Sequence, residues 1–224
     1  MIIWLASYPR SGNTLLRIVL RQCFGIDSYS IYNDRTDIAK NAELVKLTGH
    51  VMMDLPASQF VRDRVASPEL TFIKTHDPPS DDSRAIYIVR DGRAAVLSYA
   101  GYFRNIRRRT DVTLADVIRG TAGPFGSWSA HIEAWKPTAR PDTLLLRFED
   151  MVMDVAPAIA GISAFAGLAP IAEWRTEFKS LQKLQPDFFT TGSNADIREL
   201  EEEAEADFWR LHGDAMRTMG YAAL

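Results

Sequence analysis

Residues 1–20 read MIIWLASYPRSGNTLLRIVL and contain a strand, a tight loop and a helix in that order. Ile2–Ala6 is a short apolar run, which predicts a buried strand. Asn13–Phe24 has apolar residues at helical spacing, which predicts a helix directly after the loop. In this geometry the backbone N–H groups and the positive end of the helix dipole point at a bound anion. The stretch therefore predicts an α/β protein with an anion-binding loop.

The rest of the chain continues to alternate short apolar runs with helical patterns. Further strands are predicted at residues 70–74, 85–89 and 143–146. Further helices are predicted at residues 37–47, 58–65 (with Ser58 as N-cap), 91–103, 155–166, 172–184 and 197–219, and long loops at 123–127 and 185–196. This alternation predicts a single domain, residues 1–224, with a P-loop-type three-layer α/β fold in which helices flank a central parallel sheet.

Composition limits the classes of function. The chain has 224 residues, a net charge of −3 and one cysteine, Cys23. One cysteine excludes an intrachain disulfide and a cysteine-rich zinc site. The slightly negative charge gives no general attraction to nucleic acid or to anionic membranes. The sequence shows no signal peptide and no apolar stretch of membrane-spanning length, so we expect a cytoplasmic protein without nucleic-acid or membrane partners.

The first loop differs from the loop that binds ATP or GTP, G-x-x-x-x-G-K-S/T. With Gly12 and Thr14 aligned to that pattern, Ser7 takes the place of the first glycine and Asn13 takes the place of the lysine. The cation that clamps the β- and γ-phosphates is absent, while Arg10 lies within the loop. The loop is consistent with a donor that has fewer phosphates, and equally with an ordinary strand-to-helix turn carrying a solvated arginine.

Two further segments place polar residues at predicted strand ends. FIKTHDPP (residues 72–79) brings Lys74 and His76 to the carboxyl edge of the sheet, where open α/β sheets bind ligands. IYIVRDGRAAVLSY (residues 86–99) places Arg90 at a strand end and Ser98 eight residues later on the next helix. Arg90 and Ser98 could jointly hold a second phosphate, although each motif alone is consistent with surface residues.

Taken together, these segments resemble the sulfotransferase family, which transfers a sulfuryl group from 3′-phosphoadenylyl sulfate (PAPS). SYPRSGNT resembles the family's 5′-phosphosulfate loop, IYIVRDGRAAVLSY its 3′-phosphate segment, and FIKTHDPP the segment with its catalytic histidine. GSWSAHIEAW, LLLRFEDMVMD and FTTGSNADI resemble three further segments in the family's order. The resemblance runs from Ser7 to Tyr221, nearly the whole chain.

The resemblance implies a role for each matched residue. His76 would be the catalytic base, and Arg10 and Lys74 would stabilise charge on the leaving group. The residues that would bind PAPS are Arg10, Ser11, Gly12, Asn13 and Thr14 at the 5′-phosphosulfate, and Arg90, Ser98, Thr190, Thr191 and Gly192 at the 3′-phosphate. PAPS would be the co-substrate, adenosine 3′,5′-bisphosphate (PAP) the product, and no metal would be required. The acceptor would be a small molecule or saccharide with a hydroxyl or amine, and the oligomeric state stays open.

The sequence also departs from the family's pattern. Arg10 stands where many members have lysine, Leu15 replaces a tryptophan, and Phe148 replaces a tyrosine. Two cations of the C-terminal loop are replaced by Thr190 and Thr191, and its tryptophan is replaced by Ile197. We interpret His131, Trp128 and Trp135 as structural. The arginine run at residues 104–109 is either a solvated helix end or an attractant for an anionic acceptor.

Two other functions compete with sulfuryl transfer. A P-loop kinase of small molecules predicts a lysine at position 13 and a magnesium-binding aspartate at a strand end, and the lysine is absent. A non-catalytic nucleotide-binding module of sulfotransferase descent would explain Thr190 and Thr191, but the presence of Lys74 and His76 argues against it.

Overall fold

The computed structural model of the protein describes residues 1–33, 38–176, 178–184 and 200–221. Within these ranges the strands are β1 (Ile2–Ala6), β2 (Tyr29–Ser30), β3 (Thr71–Thr75), β4 (Arg84–Val89) and β5 (Thr143–Arg147). The helices are α1 (Asn13–Phe24), α2 (Ala42–Thr48), α3 (Ala57–Ala66), α4 (Gly92–Asn105), α5 (Leu114–Arg119), α6 (Trp128–Trp135), α7 (Phe148–Met153), α8 (Ala156–Ala166), α9 (Phe178–Leu184) and α10 (Glu202–Thr218).

The five strands form one parallel sheet in the order β2-β3-β1-β4-β5. β1 lies in the middle, and all five of its residues are buried, as expected of a central strand that is covered on both faces. Because the strands are parallel, their carboxyl ends meet at one edge of the sheet. The residues that follow β1, β3, β4 and β5 therefore lie near one another at that edge.

The two faces of β1 pack into separate apolar clusters. Ile2, Trp4 and Ala6 pack with residues of α4, α6 and α10. Ile3 and Leu5 pack on the opposite face with residues of α1, α7 and α8. Helices thus cover both faces of the sheet, and the predicted three-layer α/β fold with a central parallel sheet is confirmed.

Several predicted element boundaries are wrong. The helix predicted at 37–47 is α2, which begins only at Ala42 because the Asn41 side chain accepts hydrogen bonds from the amides of Glu43 and Leu44. Ser58 is not an N-cap, since α3 begins one residue earlier, with Pro56 at the cap. Residues 172–176 precede α9 without being helical, and α10 is shorter than the predicted helix at 197–219.

The start of α1 requires a glycine for two reasons. Gly12 is the N-cap and has a φ of 101°, a left-handed conformation that other residues adopt only with strain. A Cβ added to Gly12 would lie 2.4 Å from Cδ2 of Phe148 and 3.0 Å from Cδ1 of Ile88. Besides allowing close approach of an anion, the glycine therefore lets the loop rest directly on Phe148.

Gly12→Ala is expected to lower the free energy of unfolding by about 1–3 kcal/mol, because the added methyl group clashes with Phe148 and the positive φ strains alanine. Gly101→Ala is the matched control. Gly101 lies in α4 with no heavy atom within 4 Å of its Cβ position, so this change should add about 0.5–1 kcal/mol. Urea unfolding of both variants measures the difference. Equal stability of Gly12→Ala and the wild type would contradict the assignment.

Candidate active site

A cavity of about 560 Å³ lies at the carboxyl edge of the sheet. Its walls come from the loop after β1, from the ends of β3 and β4, from α4, and from residues 122–125. The predicted site residues that line it are Arg10, Gly12, Asn13, Thr14, Lys74, His76, Arg90 and Ser98. Of the remaining predictions, Ser11 does not line the cavity, and Thr190, Thr191 and Gly192 lie outside the described residues.

Polar side chains of the first loop are turned inward and stabilise the loop itself. The Asn13 amide Nδ2 donates to the carbonyl of Leu5 at 2.8 Å and to the Ser7 hydroxyl at 3.4 Å. Ser11 is buried, with 1% of its surface exposed. No side chain caps the N-terminus of α1. The donors that this loop offers to an anion are therefore mainly the backbone N–H groups of the first turn of α1, together with Thr14 beside them.

The two predicted phosphate sites join into one cluster. Arg10 Nε donates to the Ser98 hydroxyl at 3.1 Å, across 88 residues of sequence. Arg90 Nη1 donates to the backbone carbonyl of Arg10 at 3.2 Å. Arg10 itself has a positive φ of 64°, so its side chain projects from a tight turn. Arg10, Arg90 and Ser98 consequently form one continuous polar surface rather than two separate ones.

Arg90 is buried, which rules out a solvated surface arginine. Only 3% of its surface is exposed, and its guanidinium lies 4.7 Å from the centre of the Phe148 ring. The next residue, Asp91, forms a buried ion pair with Arg93 at 2.9 Å, and its amide donates to the Glu149 carboxylate at 2.9 Å. These contacts fix the turn between β4 and α4, and with it the position of Arg90.

A backbone contact orients His76. His76 Nδ1 lies 2.7 Å from the carbonyl oxygen of Ser7. A carbonyl oxygen can only accept, so Nδ1 carries the proton and Nε2 of the neutral ring is the nitrogen that can take one up. Burial, and next the positive charge of Lys74, lower the pKa of His76 well below its usual 6.5. His76 is therefore neutral at physiological pH, as a general base must be.

Lys74 and His76 share Tyr32 as a neighbour. Lys74 is buried, and its Nζ lies 4.8 Å from the centre of the Tyr32 ring. The Tyr32 hydroxyl accepts from the His76 amide at 2.8 Å and donates to the Asp77 carboxylate at 3.0 Å. No sequence pattern indicated Tyr32, because β2, which precedes it, has only two residues and leaves no periodicity.

His131 forms a hydrogen bond with the backbone of His76. Its Nε2 donates to the His76 carbonyl at 3.0 Å, and its Nδ1 accepts from the Tyr87 hydroxyl at 2.7 Å. Burial lowers the pKa of His131 to about 3, so the ring stays neutral. Trp128 and Trp135 are fully buried in the same apolar cluster. These contacts agree with the structural interpretation of all three residues.

Two parts of the cavity wall differ in character. Around His76 the wall is aromatic: the ring of Phe125 lies 5.5 Å from the imidazole, and the ring of Tyr32 lies 6.0 Å from it. Tyr99, Tyr102 and Phe103 extend this wall along α4. Arg90 and Phe148 form another part of the wall, where Phe148 packs against Gly12 of the first loop. No sequence pattern indicated Phe125, which lies in the loop predicted at residues 123–127.

The cavity is strongly cationic. Five of its lining residues are arginine or lysine, and within the described part of the chain no aspartate or glutamate lines it. In addition, the open N-terminus of α1 contributes partial positive charge. The arrangement suits a ligand that carries several negative charges. No helix in the described ranges is both long enough and apolar enough to span a membrane.

Comparison with known proteins identifies relatives in sequence. Sulfotransferase 4A1 from Mus musculus and from Homo sapiens is 27% identical over 180 residues, which cover 75% of this chain and 60% of the relative. Flavonol 3-sulfotransferase from Flaveria bidentis is 23% identical over 185 residues, covering 74% and 56%. The chain thus spans about 60% of the length of the first of these curated relatives.

Solved structures share the fold. Mouse sulfotransferase SULT7A1 complexed with PAP superposes with a TM-score of 0.63 at 18% identity, covering 96% of this chain and 84% of that one. Retinol dehydratase in complex with androsterone and inactive cofactor PAP gives a TM-score of 0.65 at 18% identity, covering 96% and 80%. The family model of the sulfotransferase domain matches residues 2–198. Because that match covers most of the chain, this protein belongs to the sulfotransferase domain family.

Proposed function

We propose that this protein is a PAPS-dependent sulfotransferase that moves a sulfuryl group to a hydroxyl, or an amine, of a small-molecule or saccharide acceptor. The observation that carries the proposal is the meeting of Arg10, Lys74, His76, Arg90 and Ser98 in one cavity beside the open start of α1. Two solved structures of the same fold contain PAP, and this supports the choice of donor.

The cationic end of the cavity fits the charges of such a donor. The N–H groups at the start of α1, with Thr14, would hold the 5′-phosphosulfate. Arg90 and Ser98 would hold the 3′-phosphate, and Phe148 keeps the Arg90 guanidinium in place. Leu15 lines the same cavity and offers apolar surface to the adenine in place of a stacking tryptophan. Thr190, Thr191 and Gly192 remain predicted 3′-phosphate contacts.

His76 would activate the acceptor. The Ser7 carbonyl holds Nδ1–H, so Nε2 accepts the proton that the acceptor hydroxyl loses as its oxygen bonds to sulfur. The bond from sulfur to the bridging oxygen breaks, and PAP departs with the added negative charge on its 5′-phosphate. Lys74 and Arg10 would stabilise that charge. Arg10 offers charge and hydrogen bonds only, because an arginine does not deprotonate near neutral pH.

The competing functions fit the cavity less well. A kinase binds its nucleotide through magnesium held by carboxylates, and the described lining of this cavity contains none. Asn13 also turns its amide inward, toward Leu5 and Ser7, and so does not replace the missing lysine. Binding of a nucleotide alone would not require the imidazole of His76 to be held in one tautomer by the Ser7 carbonyl.

The donor assignment predicts tighter binding of PAP than of ATP in calorimetry without magnesium. Arg90→Gln should weaken PAP binding by roughly 10- to 100-fold, since a hydrogen bond to a charged group is worth about 1.5–3 kcal/mol. The same change should leave adenosine 5′-phosphate binding almost unaltered, and Arg104→Gln, on the exposed end of α4, should alter neither. ATP binding equal to or tighter than PAP binding would refute the donor assignment.

The base assignment predicts that His76→Asn lowers kcat by ~10²–10⁴-fold, with PAP affinity nearly unchanged. Asparagine suits the test because its Nδ2 can still donate to the Ser7 carbonyl, while nothing replaces Nε2. Turnover of labelled PAPS, measured alongside PAP calorimetry, separates chemistry from binding. An activity loss that follows weaker PAP binding would make His76 a donor-binding residue instead.

A further inference from the structure

Two of the cations that line the cavity have no role in the proposed donor site. Arg10, Lys74 and Arg90 are assigned to the donor, and two further arginines line the cavity just beyond the end of α4. These are Arg107 and Arg109. Arg104 and Arg108 belong to the same run but do not line the cavity.

The two extra arginines differ in their own ion pairing. Arg109 is neutralised by Asp111 through two parallel contacts, Nε to Oδ1 at 2.8 Å and Nη2 to Oδ2 at 2.7 Å. Among the described residues Arg107 has no carboxylate within ion-pair distance. One full positive charge on this wall of the cavity is therefore available to a ligand.

Hydrogen bonds fix the backbone that carries Arg107. The amides of Ile106 and Arg107 both donate to the Tyr102 carbonyl at 3.0 Å, and the Arg109 amide donates to the Phe103 carbonyl at 2.9 Å. Arg108 between them has a φ of 56°, the left-handed conformation that commonly ends a helix. The cation also lies at the C-terminal end of α4, where the helix dipole stabilises positive charge.

Contacts along the wall connect Arg107 with the His76 end of the cavity. Burial, and next the neighbouring Tyr102, raise the pKa of the Tyr99 hydroxyl, and the positive charge of Arg107 partly opposes this shift. A Cβ on Gly123 would lie 2.9 Å from that same hydroxyl. Two residues after Gly123, Phe125 packs edge-on against the His76 ring at 5.5 Å.

From this placement we infer that the acceptor carries an anionic group in addition to the hydroxyl that receives the sulfuryl group. Arg107 binds the anionic group, a carboxylate, sulfate or phosphate. The apolar or aromatic body of the acceptor lies against Tyr102 and Phe125, and its hydroxyl meets His76. This inference rests on the proposed sulfotransferase function and adds the acceptor's charge to it.

The test compares hydroxyl compounds that differ only in charge: 4-hydroxybenzoate, 4-hydroxyphenylacetate and 3-(4-hydroxyphenyl)propionate, each against its neutral amide. Calorimetry on the PAP-loaded protein measures binding, and sulfate transfer from PAPS measures kcat/KM. For at least one acid, binding and kcat/KM should exceed those of its amide by about tenfold, the size expected of one charge-assisted hydrogen bond. Arg107→Gln should abolish that preference, and Arg104→Gln should keep it.

Each outcome decides the inference. Acids and amides that bind alike, or a panel in which no member binds the PAP-loaded protein, would overturn it. A drop in PAP affinity in Arg107→Gln would also overturn it, because Arg107 would then serve the donor's 3′-phosphate. Failure of PAP to bind the wild-type protein would instead reject the proposed function, so the two failures are distinguishable.

Discussion

The pairing of β1 with β3 and β4 is the constraint on which the candidate site depends. Ala6 is level with Thr75 on one side and with Tyr87 on the other. This register puts Ser7 directly beside His76, and the bond from His76 Nδ1 to the Ser7 carbonyl follows from it. A slip of one residue would turn every β1 side chain to the opposite face, so the buried apolar clusters hold the register and, through it, the tautomer of His76.

Positive charge is concentrated at the same edge of the sheet, and its mutual repulsion opposes folding. The charges of Arg10, Lys74 and Arg90 repel one another and the positive end of α1. Neighbouring groups hold these cations in place: Ser98 binds Arg10, Phe148 lies beneath Arg90, and aromatic Tyr32 faces Lys74. An anionic ligand relieves this repulsion, and for that reason its binding should also stabilise the folded state.

Sequence patterns predicted the parts of the site that depend on local order. β1, the loop and α1 were placed correctly because strand and helix periodicities change within a few residues. Sequence also indicated His76 and Arg90, since each follows an apolar strand. It could not reveal the orienting role of the Ser7 carbonyl, because every residue has a carbonyl and only the sheet register selects this one. Tyr32 and Phe125 were missed because they approach His76 through long-range packing.

On the proposed function, the electrostatics of the site would couple donor binding to the basicity of His76. Burial, and next the nearby Lys74, hold the pKa of His76 well below 6.5, so its imidazole is neutral but only weakly basic. The negative charges of a donor bound beside Lys74 and Arg10 would offset their repulsion of a second proton and raise the pKa of His76. A base is most effective when its pKa lies near the working pH. On the proposed function, Lys74 and Arg10 therefore keep the pKa of His76 low in the free protein. Binding of the donor raises that pKa and makes His76 a stronger base.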